Sequence, residues 1–194
     1  MLLNWSSRRH GFMLSLLLLR LFASAGAQQD QRARTDPTEA DALNAVFTKL
    51  GLQVWPPWYS GDPCIGEATD GTAIDDNLSM NPGIKCDCSY QNNTICHITK
   101  LRMYALNLSG PIPEELRNLK RLTMLNLAQN YLTGPLPSFL GELAAMEYLS
   151  VDINALSGSV PKELGNLTNL ISLGFGSNNL NGPLPSEVGE PGKP

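Results

Sequence analysis

Apolar residues recur at a fixed interval of 24 through residues 98–189, with polar positions between them. Leu108, Leu132, Leu156 and Leu180 keep that interval, as do Gly110, Gly134, Gly158 and Gly182, and Pro113, Pro137, Pro161 and Pro185. Each unit follows L-x-x-L-x-L-x-x-N-x-L-x-G-x-[IVL]-P-x-x-L-x-x-L, most clearly in Leu122, Leu125, Leu127, Asn130, Leu132, Gly134, Leu136, Pro137, Leu140 and Leu143. Four aligned copies predict a solenoid, in which each coil buries its apolar side only against its neighbours.

Within a unit the pairs Leu101/Met103, Leu125/Leu127, Leu149/Val151 and Leu173/Phe175 alternate in and out. Such alternation predicts one short strand per unit, with successive strands forming a parallel sheet on the concave side. Asn130, Asn154 and Asn178 stand where the chain leaves the strand, placed to bond backbone groups freed by the turn. Leu106 holds that place in the first unit, which is therefore expected to act as a capping repeat. In SGPIP (109–113), TGPLP (133–137), SGSVP (157–161) and NGPLP (181–185), Gly permits the turn and Pro fixes the chain before a short helical turn. The last unit is expected to leave Leu180, Leu184 and Val188 partly uncovered, as the capped front of a longer solenoid would.

Ahead of the repeats, Asp36 is a candidate N-cap, Pro37 suits the first helical position, and Glu39 completes a capping-box pattern. Leu43, Val46, Phe47 and Leu50 follow at helical spacing, and Gly51 is placed to end the helix. Its single apolar face is expected to cover the first coil, with Trp55 and Trp58 packed into the same cap. Residues 61–84 read as loop, rich in Gly, Asp, Asn and Pro. The polar stretch 28–35 reads as disordered. In residues 1–27, Arg8, Arg9 and His10 precede an apolar run, and Ala25-Gly26-Ala27 supplies a small-x-small cleavage site. That is the pattern of a secretory signal, and Arg20 breaks the run short of the roughly 20 residues a membrane span needs. The expected organisation is signal 1–27, disordered 28–35, cap 36–97, repeats 98–189 and tail 190–194.

A secreted chain changes how its cysteines read. Cys64, Cys86, Cys88 and Cys96 are an even set in a segment with few apolar side chains, and two disulfides among three possible pairings are expected. The preferred pairing joins Cys88 to Cys96 around a small loop and ties Cys64 to Cys86. C-x-C does not match zinc-knuckle spacing. Asp62, Asp70, Asp75 and Asp76 do not follow the calcium-loop spacing and are expected on solvated surface.

Charge narrows the function classes. The chain carries 14 basic against 18 acidic residues; without residues 1–27 the balance is 11 against 18. An acidic chain without clustered Lys and Arg is not built for nucleic acid. His97 is the single histidine outside the signal, so a Ser-His-Asp constellation has one candidate base beside a cysteine, where packing is the simpler role. Kinase motifs H-R-D and D-F-G do not occur, and Gly174-Phe175-Gly176 reads as small residues on a strand. No catalytic site, metal or cofactor is expected.

The repeats are leucine-rich repeats, and their L-x-G-x-[IVL]-P segments resemble the plant type found in receptor-like kinases and polygalacturonase-inhibiting proteins. In that class the added segment forms a second strand and twists the array. The stretch 81–113, with KCDCS (85–89), CHITKL (96–101) and YALNLSGPIP (104–113), resembles the ectodomain start of plant receptor-like serine/threonine kinases that carry a malectin-like domain. The resemblance implies an α/β solenoid of plant-type leucine-rich repeats with a helical, disulfide-stabilised N-terminal cap. It implies an N-terminal ectodomain portion, secreted or on the extracellular side of the plasma membrane, without membrane helix or kinase of its own. Its expected role is to bind an extracellular protein, peptide or cell-wall glycan, or a co-receptor. The alternative is a free-standing secreted repeat protein, such as an inhibitor of cell-wall-degrading enzymes.

The outward positions of the strands hold whatever specificity exists. They are Lys100, Arg102, Tyr104 and Ala105; Met124, Asn126, Ala128 and Gln129; Tyr148, Ser150, Asp152 and Ile153; and Ser172, Gly174, Gly176 and Ser177. Arg102, Tyr104, Asn126, Tyr148 and Asp152 are the candidate partner-binding set, because such types anchor interfaces. Four strands about 4.8 Å apart span only about 15 Å, a partial site for a partner that covers roughly 800 Å². Asn77, Asn92, Asn107 and Asn166 head N-x-[ST] sequons and are candidate glycosylation sites.

Overall fold

The computed structural model describes residues 32–52, 61–74 and 81–188. The expected signal 1–27, Trp55, Trp58, Asp75, Asp76, Asn77 and the tail 190–194 lie outside them. The fold is a leucine-rich-repeat solenoid. Strands β1 (Arg34–Thr35), β3 (Ile95–Arg102), β5 (Met124–Asn126), β7 (Tyr148–Ser150) and β9 (Ser172–Gly174) lie side by side, and β2 (Gly83–Tyr90) pairs antiparallel with β3. The β3–β5–β7–β9 part is parallel, one strand per coil, with Leu101, Leu125, Leu149 and Leu173 in register. Strands β4 (Ser109–Gly110), β6 (Tyr131–Pro135), β8 (Ala155–Gly158) and β10 (Asn179–Leu180) form the second parallel sheet of the plant type. Short 3-10 turns at Glu114–Asn118, Ser138–Glu142 and Lys162–Asn166 close the coils, each after a Pro.

The period makes this core. Leu101, Leu116, Leu125, Leu132, Leu140 and Leu156 are wholly buried, each worth about 1.5–3 kcal/mol of removal from water. Gly134 takes φ +80 within β6, a conformation that a side chain resists. In the second, third and fourth coils the place where the chain leaves the strand belongs to an asparagine, and its amide links two coils. Asn130 Oδ1 accepts from Leu106 N and Leu108 N at 3.0 and 3.1 Å, while Nδ2 donates to Met103 O and Leu127 O at 2.8 and 2.9 Å. Asn154 accepts from Leu132 N and donates to Leu127 O, both at 3.0 Å. Asn178 repeats this with Leu156 N and Val151 O.

The helix runs Pro37–Lys49, with the Asp36 carboxylate accepting from Thr38 N and Glu39 N. Leu43, Val46 and Phe47 bury its apolar face, and Lys49 reaches Glu115 on the first 3-10 turn at 2.5 Å. Glu39 departs from the capping-box expectation. It is 4% exposed and turns toward the hairpin, where Oε2 accepts from Ile98 N at 2.7 Å and Oε1 lies 2.8 Å from His97 Nδ1. A buried carboxylate needs such partners.

The stretch expected to be disordered ends in β1, a correction to the 28–35 boundary. Arg34 N donates to Thr94 O and Asp36 N to Cys96 O, which gives a polar segment the backbone partners that composition does not reveal. Asp62 differs from the solvated expectation in being half-buried, whereas Asp70 is exposed as expected and is bonded all the same. Asp62 accepts from Thr35 N, from the Thr35 hydroxyl and from Cys64 N, and Asp70 accepts from Lys85 Nζ at 2.9 Å and from Thr72 N and Oγ1. Disulfides join Cys64 to Cys86 and Cys88 to Cys96. The first anchors the loop of Asp62 to β2, and the second closes the β2–β3 turn.

Candidate functional site

Register sets the face opposite the core. Because Leu101, Leu125 and Leu149 point inward, their neighbours point out, and two rows cross the strands. One row is Lys85, Lys100, Met124, Tyr148 and Ser172; the other is Gly83, Arg102, Asn126, Ser150 and Gly174. A hollow of about 450 Å³ opens on them, lined by Lys100, Met124, Asn126, Tyr148, Ser150 and Ser172 among others. That volume lies in the range of small-ligand and peptide-side-chain pockets.

The five candidate residues do not all reach it. Tyr148 lines the hollow and is 44% exposed, whereas Tyr104, two residues beyond β3 in the first coil, is 37% exposed and is not part of its lining. Asn126 lines the hollow, while its Oδ1 accepts from Ala128 N at 3.0 Å. Arg102 is corrected: it is 4% exposed and donates from Nη1 to Ile74 O at 2.6 Å. Residues 66–74 lie over its end of the sheet, and strand alternation carries no sign of a loop folding back from outside the repeats. Asp152 is half-buried, with Oδ2 accepting from the Ser150 hydroxyl at 2.8 Å and Oδ1 from Gly176 N at 2.7 Å. It occupies the space over Gly174, where a Cβ would lie 2.0 Å from Oδ2. The Gly174-Phe175-Gly176 segment is therefore small because the Asp152 carboxylate folds over it.

Electrostatics sharpens one end of the face. Lys85 and Lys100 are directly opposite across β2 and β3, an unfavourable like-charge pairing. Lys85 is neutralised from the loop: its Nζ donates to Glu67 O at 2.5 Å, Asp70 Oδ1 at 2.9 Å and Thr72 Oγ1 at 2.7 Å. The Lys85 hydrogen bond, followed by those of Thr72, lowers the Asp70 carboxyl from its ordinary 3.8 to about 2. Lys100 is half-buried, and among the described residues no carboxylate reaches its ammonium.

Chemistry of other kinds is not assembled among the described residues. They hold no group of three His, Cys, Asp or Glu arranged for a metal ion, and no helix long and apolar enough to cross a membrane. His97 packs edge-on to Tyr90 at 4.6 Å between ring centroids, opposite its Glu39 bond. Asn92, Asn107 and Asn166 are exposed; Asn92 lies in the 91–94 turn, Asn107 takes φ 58 beyond β3, and Asn166 ends the third 3-10 turn.

Comparison with known proteins fits this geometry. The family model described as Leucine Rich Repeat matches residues 121–143. A probable LRR receptor-like serine/threonine-protein kinase of Arabidopsis thaliana is 48% identical over 117 residues, 57% of this chain and 11% of its own length. A second such kinase is 48% identical over 98 residues, 50% of this chain and 10% of its own length. The chain thus spans about a tenth of these relatives. Among solved structures, the LRR ectodomain of the receptor kinase SOBIR1 from Arabidopsis thaliana shares the fold, with a TM-score of 0.59 at 23% identity, over 76% of this chain and 71% of that one. The likeness to that solved structure is one of fold.

Proposed function

We propose that this chain is the extracellular, non-catalytic leucine-rich-repeat module of a plant receptor-like kinase of the malectin-domain type. It binds a protein, peptide or cell-wall glycan ligand, or a co-receptor, on the face of β3, β5, β7 and β9. The observation that carries the reading is the in-register row of Lys100, Met124, Tyr148 and Ser172 around an open hollow. A rigid sheet holds those side chains in place before a partner arrives, which lowers the ordering cost of binding. The receptor kinases at 48% identity support this over a free-standing inhibitor. The small extent of the face makes it one part of a larger interface.

Tyr148→Ala and Tyr104→Ala in an intact ectodomain are expected to weaken binding to a secreted-peptide library by about tenfold or more, the scale of a central aromatic anchor. Binding unaltered by both removes this face from the interface.

A further inference from the structure

Among the described residues, Lys100 is the charged side chain that lines the hollow. We propose that Lys100 is the carboxylate-recognising residue of this face and that its ligand is an acidic peptide. The inference rests on the binding role proposed above and specifies it. Lys100 is half-buried and faces a second lysine across the ladder, and among the described residues no carboxylate reaches its ammonium. The loop supplies Asp70 to Lys85 alone, and the other carboxylate of the face, Asp152, is closed off by Ser150 and Gly176. A carboxylate entering the hollow would meet Lys100 of β3, and Tyr148 and Ser172, both with hydroxyls, line the same space. Charge-assisted bonds of that kind are shorter and stronger than neutral ones.

The neighbouring groups favour a peptide over a uronic-acid polymer. Met124 stands between Lys100 and Tyr148 in the row, and a flexible thioether suits the methylene stem of an acidic side chain or the last residue of a chain. A polyuronate carries a carboxylate on every ring, and those beyond the first would run across β7 toward Asp152, where like charge opposes them. One cation against one carboxylate fits a single acidic group on an otherwise neutral segment.

The test uses the whole chain, secreted and disulfide-bonded, against short peptides made in matched pairs. One pair differs as Glu against Gln within the peptide, another as free against amidated C-terminus, and trigalacturonic acid is the saccharide probe. Carboxylate peptides are expected to bind about tenfold more tightly than their amide partners. The pair that shows the preference tells whether side chain or chain end supplies the group. Lys100→Gln should bring the pairs level, Lys100→Arg should keep the preference, and Lys162→Gln, at an exposed lysine on the 162–166 turn, should leave it intact. Peptides that bind equally as acid and amide, lose binding with Tyr148→Ala and ignore Lys100→Gln overturn the carboxylate site and leave the binding face standing. Trigalacturonic acid binding through Lys100 without any peptide preference overturns the peptide. Indifference to both Lys100→Gln and Tyr148→Ala, or binding by none of the probes, removes this proposal and the binding face together.

Discussion

Leu101, Leu125 and Leu149 hold one place in three successive coils and are 0–1% exposed, whereas Leu173, in the same place of the fourth, is half-buried. The rest of the fourth coil follows suit: Phe175, Leu180 and Val188 are half-buried, Ile171 is 68% exposed and Leu184 55%. At the other end the helix Pro37–Lys49, the hairpin and two disulfides cover the first coil. Equal motifs therefore carry unequal stability, because a repeat supplies one side of a contact and its neighbour supplies the other. The hollow is built mainly on β3, β5 and β7, the coils whose cores are closed, where side chains can be held in fixed positions.

The contrast is sharpest in the core. Leu125→Ala is expected to cost about 2–5 kcal/mol, because the closed coil leaves a cavity. Leu180→Ala should cost under about 1.5 kcal/mol, since its half-buried side chain already meets water. Chemical denaturation of both variants measures this, and equal losses would break the comparison.

A smaller difference is expected along the asparagine ladder. Asn130 is 6% exposed and serves two amides and several carbonyls, so Asn130→Ala should cost about 1–3 kcal/mol through groups left buried and unpaired. Asn178 is half-buried, and the carbonyl of Gly176 that it bonds is at an exposed residue. Water can replace part of what Asn178→Ala removes, and its shift in melting temperature should be the lesser of the two.

The smallest effect belongs to the loop over Arg102. Asp70 is held below its ordinary 3.8 by Lys85 first and Thr72 second, down to about 2. Its support of the loop is therefore complete above pH 3.8 and fades as the pH falls toward about 2. Carboxyl titration by NMR should place the Asp70 midpoint below those of unpaired aspartates, and Lys85→Gln should bring it back up. An Asp70 midpoint at the ordinary value would contradict its contact with Lys85.

Much of this frame was legible from spacing alone. Leu, Asn, Gly and Pro recur because each coil meets the same mechanical demands, and those demands are local or come from a neighbour at a known interval. The helix was equally readable, since Asp36 and Pro37 sit next to the groups they serve. What escaped was non-local. The β2–β3 hairpin carries no strand expectation in the sequence analysis, although its turn holds Asn92 and Asn93, and Gln91, Asn92 and Asn93 all take positive φ. Glu39 looked like half of a capping box, and only the hairpin's approach shows why its carboxylate turns to Ile98. Arg102 was placed outward correctly by alternation, yet the loop carrying Ile74 buries it. Lys100 stands among the outward positions in the sequence, but that no carboxylate among the described residues reaches it shows only once the loop has paired Lys85.

Hydrogen exchange across the sheet tests most directly whether stability runs from the capped coil to the open one. Amides of β3 and β5 should exchange slowest, those of β7 next and those of β9 fastest, in the order in which their cores close. Exchange in β9 as slow as in β3, or slower, would contradict it.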